Sequence, residues 1–184
     1  MKEKCLIIVD VQNDFCDGAL AVTGGRTVAD SIPQFVQQNT FDSVLITKDW
    51  HPEDHCSFIK FGGSWPSHCI MGTRGAELAF DTSSIYKNIH NVQVVCKGSD
   101  KRYECYGIPV PHTFNNSNYY FIGIALDYCV KECAIATAKA YPESKCYIIE
   151  DLCASVKSML DEENRNNFMK SISTYKNIEL IRSV

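Results

Sequence analysis

The chain has 184 residues, of which 45% are apolar and 22% charged, and a formal net charge of -4; this composition suits an ordinary globular protein and this length a single domain over 1–184. It offers no basic footprint for nucleic acid, and no apolar run approaches the ~18 residues that cross a membrane.

The opening, "MKEKCLIIVDVQNDF", carries a basic residue and a short apolar run. That run is shorter than the ~7–15 residues of a secretory core and ends in an acid, so the reading is a first strand (5–10) of a cytoplasmic protein, buried on both faces. Residues 27–38 place Val28, Ile32, Phe35 and Val36 at helical spacing. A second strand follows at 43–50. Residues 51–90 then break the rhythm, and long irregular segments in compact domains are usually functional. Strands at 91–98 and 119–125 come next, the latter leading into a helix through Tyr141. A fifth strand (145–151), a helix (161–172) with an acidic first turn, and a last strand (178–183) complete the chain. Strands alternating with helices predict a three-layer, doubly wound α/β fold around a parallel sheet of about six strands. The ten cysteines contain no Cys-x-x-Cys pair, and several sit inside apolar runs, so they are expected to be reduced.

The reactive side chains fall at the strand ends: Asp10 at the end of the first, Asp49 at the second, Lys97 at the third, Cys129 after the fourth. In open α/β sheets ligands bind beyond the carboxyl ends of the strands, at the switch in strand order, so four capable groups are expected to converge there. A thiol needs activation to act as a nucleophile. Asp127 as helix N-cap would place Cys129 near the positive end of the helix. The Lys97 ammonium, one strand away if the two strands are neighbours, would stabilise a negative sulfur, and Asp10 could take the proton. Cys133, one turn on, reads as a buried helix thiol.

A second constellation joins Asp49 and His51, two residues apart at a strand end and so on one face, with His68 from the long loop. Two imidazoles and a carboxylate with open positions suit one divalent ion: Zn²⁺ first, with Fe²⁺ or Mn²⁺ as alternatives. His55 is either a fourth ligand or a capping residue. His90 and His112 lack partners in sequence. Phe15 and Trp65 could sandwich a flat ring.

The blocks "DVQNDFCDGALAV", "TKDWHPEDHCSF", "WPSHCIMGTRGAE", the Lys-Gly of "CKGSD" and "GIALDYCV" resemble, in order, those of the nicotinamidases within the isochorismatase-like cysteine hydrolases. The resemblance covers residues 8 to about 135 and implies the isochorismatase-like hydrolase fold and hydrolysis of nicotinamide to nicotinate and ammonia, a step of NAD salvage, with pyrazinamide accepted too. It implies a catalytic triad of Asp10, Lys97 and Cys129. The metal ligands would be Asp49, His51 and His68, with His55 where some members add one. Phe15, Trp65 and Tyr103 would line the ring pocket, and the backbone N–H groups of Ala125, after a cis peptide, and Cys129 would hold the oxyanion. Leu126, Glu104 and Cys105 depart from the family pattern. An amidase for an N-carbamoyl or ureido substrate, a metal-free isochorismatase and a non-catalytic thiol or ligand-binding protein are the alternatives. Metal identity, oligomeric state, with a homo-oligomer open, and preference among nicotinamide analogues are not legible in sequence.

Overall fold

A computed structural model describes residues 2–115 and 117–182; residue 183, the end of the last expected strand, lies outside them. Among the described residues six parallel strands form one sheet: β1 (Glu3–Val9), β2 (Ser43–Asp49), β3 (Asn91–Lys97), β4 (Ser117–Ile124), β5 (Cys146–Ala154) and β6 (Ile178–Ile181). Their order is β3-β2-β1-β4-β5-β6. The helices are α1 (Asn13–Cys16), α2 (Gly25–Gln38), α3 (Ser83–Asn88), α4 (Lys131–Ala140) and α5 (Glu162–Ser173), and a π-helical turn, Leu126–Val130, leads into α4.

The alternation of side chains along a strand splits the core in two. Leu6 and Ile8 of β1 face one way, with Val44, Ile46, Ile122 and the α2 residues Val28, Ala29, Ile32 and Val36. Cys5, Ile7 and Val9 face the other, with Leu45, Phe121, Ala134 and Ala138 of α4, and Phe168 and Ile172 of α5. Helices on both faces of a parallel sheet make the three expected layers. The α5 boundary follows from its cap: Asp161 Oδ1 accepts the Asn164 N–H at 2.9 Å, which satisfies a first-turn donor.

The structure adds what periodicity could not resolve. α1 and α3 are too short to give a helical repeat. The long segment after β2 is held by 3₁₀ turns at Ile59–Phe61 and Arg74–Ala76 and by isolated bridges such as His51–Ile70. Sequential numbering also misplaced Lys97: β3 is an edge strand beside β2, so two strands separate it from β4. Strand order reverses between β1 and β4, the place where an α/β sheet opens a crevice. The two strands approach so closely there that a Cβ on Gly123, whose φ is +125°, would lie 2.2 Å from Val9 O. Among the described residues no helix is long and apolar enough to cross a membrane.

Candidate active site and metal centre

Each strand delivers its terminal side chain to this crevice because parallel strands all end on the same edge. Asp10 follows β1 with φ +50°, a left-handed conformation that Asp tolerates better than most residues. Its carboxylate is fully buried. Oδ1 accepts a hydrogen bond from Thr47 Oγ1 at 2.7 Å, and Oδ2 lies 2.8 Å from Lys97 Nζ. Lys97 reaches across β2, where its register partner is Asp49. Its ammonium forms a close ion pair with Asp49 Oδ1, donates to Cys105 O at 3.1 Å and stands 3.5 Å from Cys129 Sγ. Carboxylate oxygens of Asp10 and Asp49 and the Cys129 sulfur lie within 4.8 Å of one another.

Burial and charge compete in this cluster. Burial pushes the Asp10 carboxyl up, Lys97 pulls it down and the like charge of Asp49 adds to the rise, leaving it at about 6. Burial also opposes the Lys97 ammonium, but the two carboxylates outweigh it and hold Lys97 well above its ordinary value. Cys129 goes well above the usual thiol range: burial dominates, Lys97 opposes it and the carboxylates reinforce it. Burial thus favours the protonated thiol, and the raised proton affinity of the Asp10 carboxylate suits it to accept that proton on attack.

The imidazoles around Asp49 are set for a cation by their backbone partners. His51 Nδ1 pairs with Gly98 O at 2.8 Å and His68 Nδ1 with Pro66 O at 2.7 Å. A carbonyl oxygen can only accept, so both Nδ1 atoms carry hydrogen and, in the neutral rings, both Nε2 atoms present lone pairs. These Nε2 atoms lie 3.5 and 4.0 Å from Asp49 Oδ2. Asp49, His51 and His68 all bring a ligand atom into one buried group, and His51 Nε2 is buried with no hydrogen-bond partner among the described residues. Burial holds His68 below the ordinary imidazole value. Burial acts on His51 the same way, but Asp49 outweighs it and raises that ring, so a bound cation would take the place of a proton. The Asp49 carboxyl stays below its usual range because Lys97 and His51 together overcome the effect of burial. An orphaned imidazole nitrogen beside an ionised carboxylate fits a divalent cation.

His55 is completely buried, with its ring centroid 4.1 Å from that of His51. Its Nδ1 accepts the Ser57 N–H at 3.2 Å, which places the hydrogen of the neutral ring on Nε2. His51, His55 and Glu104 form a second group with ligand atoms in mutual reach.

A small cavity opens onto Cys129, Asp49 and His68 and is walled by Phe15, Trp65, Tyr106, Tyr128 and Val156, with Ala125 and Glu104 also facing it. Phe15 and Trp65 stand where a ring pocket was expected. Tyr103 does not: it is 59% exposed. The exposed turn that carries it also holds the Arg102–Asp100 pairing, and the chain returns three residues later. Tyr106 fills the wall instead, its hydroxyl accepting the Trp65 Nε1–H at 2.9 Å. Asp127 also departs from expectation. The helical entry has no side-chain cap, and the Asp127 carboxylate instead accepts the N–H groups of Val156 and Lys157 at 3.0 and 2.9 Å. It thereby tethers the loop that carries Val156 over the cavity. Ala125 follows a cis peptide bond after Ile124. His90 and His112 are exposed and outside both groups.

Sequence reasoning missed Tyr106, Tyr128 and Thr47, and noted Glu104 only as a departure from the family pattern. Thr47 was legible in principle, since it shares a strand face with Asp49. Tyr106 and Glu104 depend on a loop path that no local pattern encodes, and Tyr128 on the π-helical turn.

No protein-family model matches the chain. The nicotinamidase/pyrazinamidase of Mycobacterium tuberculosis is 38% identical over 146 residues, spanning 71% of this chain and 76% of that protein. Among solved structures, PnC1 from L. infantum in complex with nicotinate superposes with a TM-score of 0.83 at 29% identity, covering 98% of this chain and 93% of that one. The pyrazinamidase of Pyrococcus horikoshii in complex with zinc gives 0.77 at 26% identity, covering 98% and 99%.

Proposed function

The chain belongs to the nicotinamidases and hydrolyses the amide C–N bond of nicotinamide, and we propose that it does so through a Cys129 thioester formed with Asp10 as base. We read residues 1–184 as one cytoplasmic catalytic domain that also takes pyrazinamide. Asp49, His51 and His68 would hold a divalent ion, Zn²⁺ by the donor set, with Fe²⁺ or Mn²⁺ as alternatives. When bound, such an ion supplies a Lewis acid for the pyridine nitrogen.

Within that frame the side chains divide the work. Phe15, Trp65 and Tyr106 clasp the ring and leave the carboxamide against Cys129. The Cys129 proton passes to Asp10 as Sγ attacks the carbonyl carbon. The N–H groups of Ala125 and Cys129 receive the developing oxyanion, a contribution of ~2.7–4 kcal/mol per donor in comparable sites. Collapse breaks the C–N bond, and Asp10 returns the proton to departing ammonia. Water then gives Asp10 a proton and the thioester a hydroxyl. The sulfur leaves, is reprotonated, and nicotinate is released. Lys97 stays charged throughout and keeps the two carboxylates from repelling each other.

One observation carries this reading: Lys97 Nζ lies 2.8 Å from Asp10 Oδ2 and 3.5 Å from Cys129 Sγ, beside the Asp49 group. The test is ammonia release from nicotinamide by Cys129→Ala. We expect a folded protein with no turnover above background; substantial turnover would remove Cys129 as the nucleophile.

A further inference from the structure

The Gln12–Asn13–Asp14 stretch of the first sequence block has no part in the chemistry above, yet its side chains grip the scaffold of the metal group on both sides. The Gln12 amide is fully buried. Its Oε1 accepts the Asp49 N–H at 2.7 Å, and its Nε2 donates to Asp49 O at 2.8 Å and Ala76 O at 2.9 Å. A side-chain amide thus pairs with the peptide groups on both sides of Asp49, as a neighbouring strand would, and fixes the direction of that carboxylate. Asn13 Nδ2 donates to Arg74 O at 2.8 Å.

Asp14 works on the other half. Its Oδ2 accepts the Cys69 N–H at 2.7 Å and its Oδ1 the Ala19 N–H at 3.1 Å. Cys69 directly follows His68 and has φ +46°, a conformation that costs a side-chain-bearing residue energy and persists only where its surroundings impose it. The loop makes room for this contact, since a Cβ on Gly75 would lie 2.1 Å from Asp14 Oδ2. Cys69 O in turn accepts the His51 N–H at 3.0 Å, so the same residue links both imidazole-bearing segments.

We infer that Gln12 and Asp14 are positioning residues of the metal centre, Gln12 acting through Asp49 and Asp14 through His68, so that the turn after β1 sets the affinity for the cation. This rests on the ligand set proposed above. Partners one layer out from a metal ligand typically contribute 10–100-fold in affinity. A purely structural contact would instead lower stability without weakening the metal site of the folded molecules.

The experiment is zinc titration of the metal-stripped full chain against a competing chromophoric chelator, paired with the melting temperature of the metal-free protein. Asp14→Ala is expected to weaken zinc binding ~10–100-fold. Asp14→Asn, which keeps an acceptor oxygen for the Cys69 N–H, is expected to restore it close to the parent. Gln12→Glu, which keeps the acceptor for Asp49 N–H but sets a carboxylate against two carbonyls, is expected to weaken binding similarly; it carries the test if Asp14→Ala does not fold. Parent-like zinc affinity in Asp14→Ala and Gln12→Glu, or a loss matched in full by Asp14→Asn, overturns the inference. Failure of the parent itself to bind zinc overturns the ligand set instead.

Discussion

Replacing Thr47 with Val tests the proton relay without touching substrate, metal ligands or nucleophile. The two side chains have similar shape, and Thr47 is buried to 1% exposure, so the change mainly deletes the 2.7 Å hydrogen bond into Asp10 Oδ1. A hydrogen bond to a charged acceptor contributes about 1.5–3 kcal/mol, and it favours the ionised carboxylate. At about 1.4 kcal/mol per pKa unit, its loss raises the Asp10 pKa by roughly one to two units from a value already lifted to about 6. Asp10 is active as a base only when deprotonated, so the acid limb of kcat/KM moves toward higher pH by the same amount. A cation in the Asp49 group lowers Asp10 in parent and variant alike, so the difference between the two limbs is the quantity to read. The assay is ammonia release from nicotinamide across pH 5 to 9, the range that brackets this limb. Activity lost near neutrality should return in alkaline buffer. An unmoved limb, or a loss of equal size at every pH, would refute Asp10 as the titrating base.

Lys97→Met leaves the buried carboxylates of Asp10 and Asp49 without their shared cation; breaking such a pair costs about 3–5 kcal/mol, to be read as a lower urea midpoint along with lost turnover. Tyr106→Ala removes the Trp65 partner and should raise KM for nicotinamide, whereas Tyr103→Ala, on the exposed turn, should leave KM at the parent value; the reverse pattern in steady-state kinetics would restore Tyr103 to the pocket wall. Gly123→Ala forces a Cβ to 2.2 Å from Val9 O at a φ of +125° and should lower the melting temperature sharply, as measured by calorimetry.

The local signals in the chain fixed which segments are strands and which of their side chains matter. Continuous apolar runs mark strands buried on both faces. Because parallel strands share a direction, the residue that ends each run is delivered to the same edge whatever the order. For that reason Asp10, Asp49, Lys97 and Cys129 could be grouped before any strand pairing was known, and His51 with them through its spacing from Asp49. Pairing across the chain is another matter, since it is settled by long-range packing that leaves no periodic trace. Only the tertiary structure put β3 at the edge, so that Lys97 reaches Cys129 across two strands, past Asp49. It also carried the loop after β3 outward at Tyr103 and back at Tyr106, and turned Asp127 from a helix cap into a tether for the loop at Val156. The clasp of Gln12 and Asp14 on two ligand-bearing segments arises in the same way, because residues 14 and 69 meet only once the sheet has brought the turn after β1 against the long loop after β2.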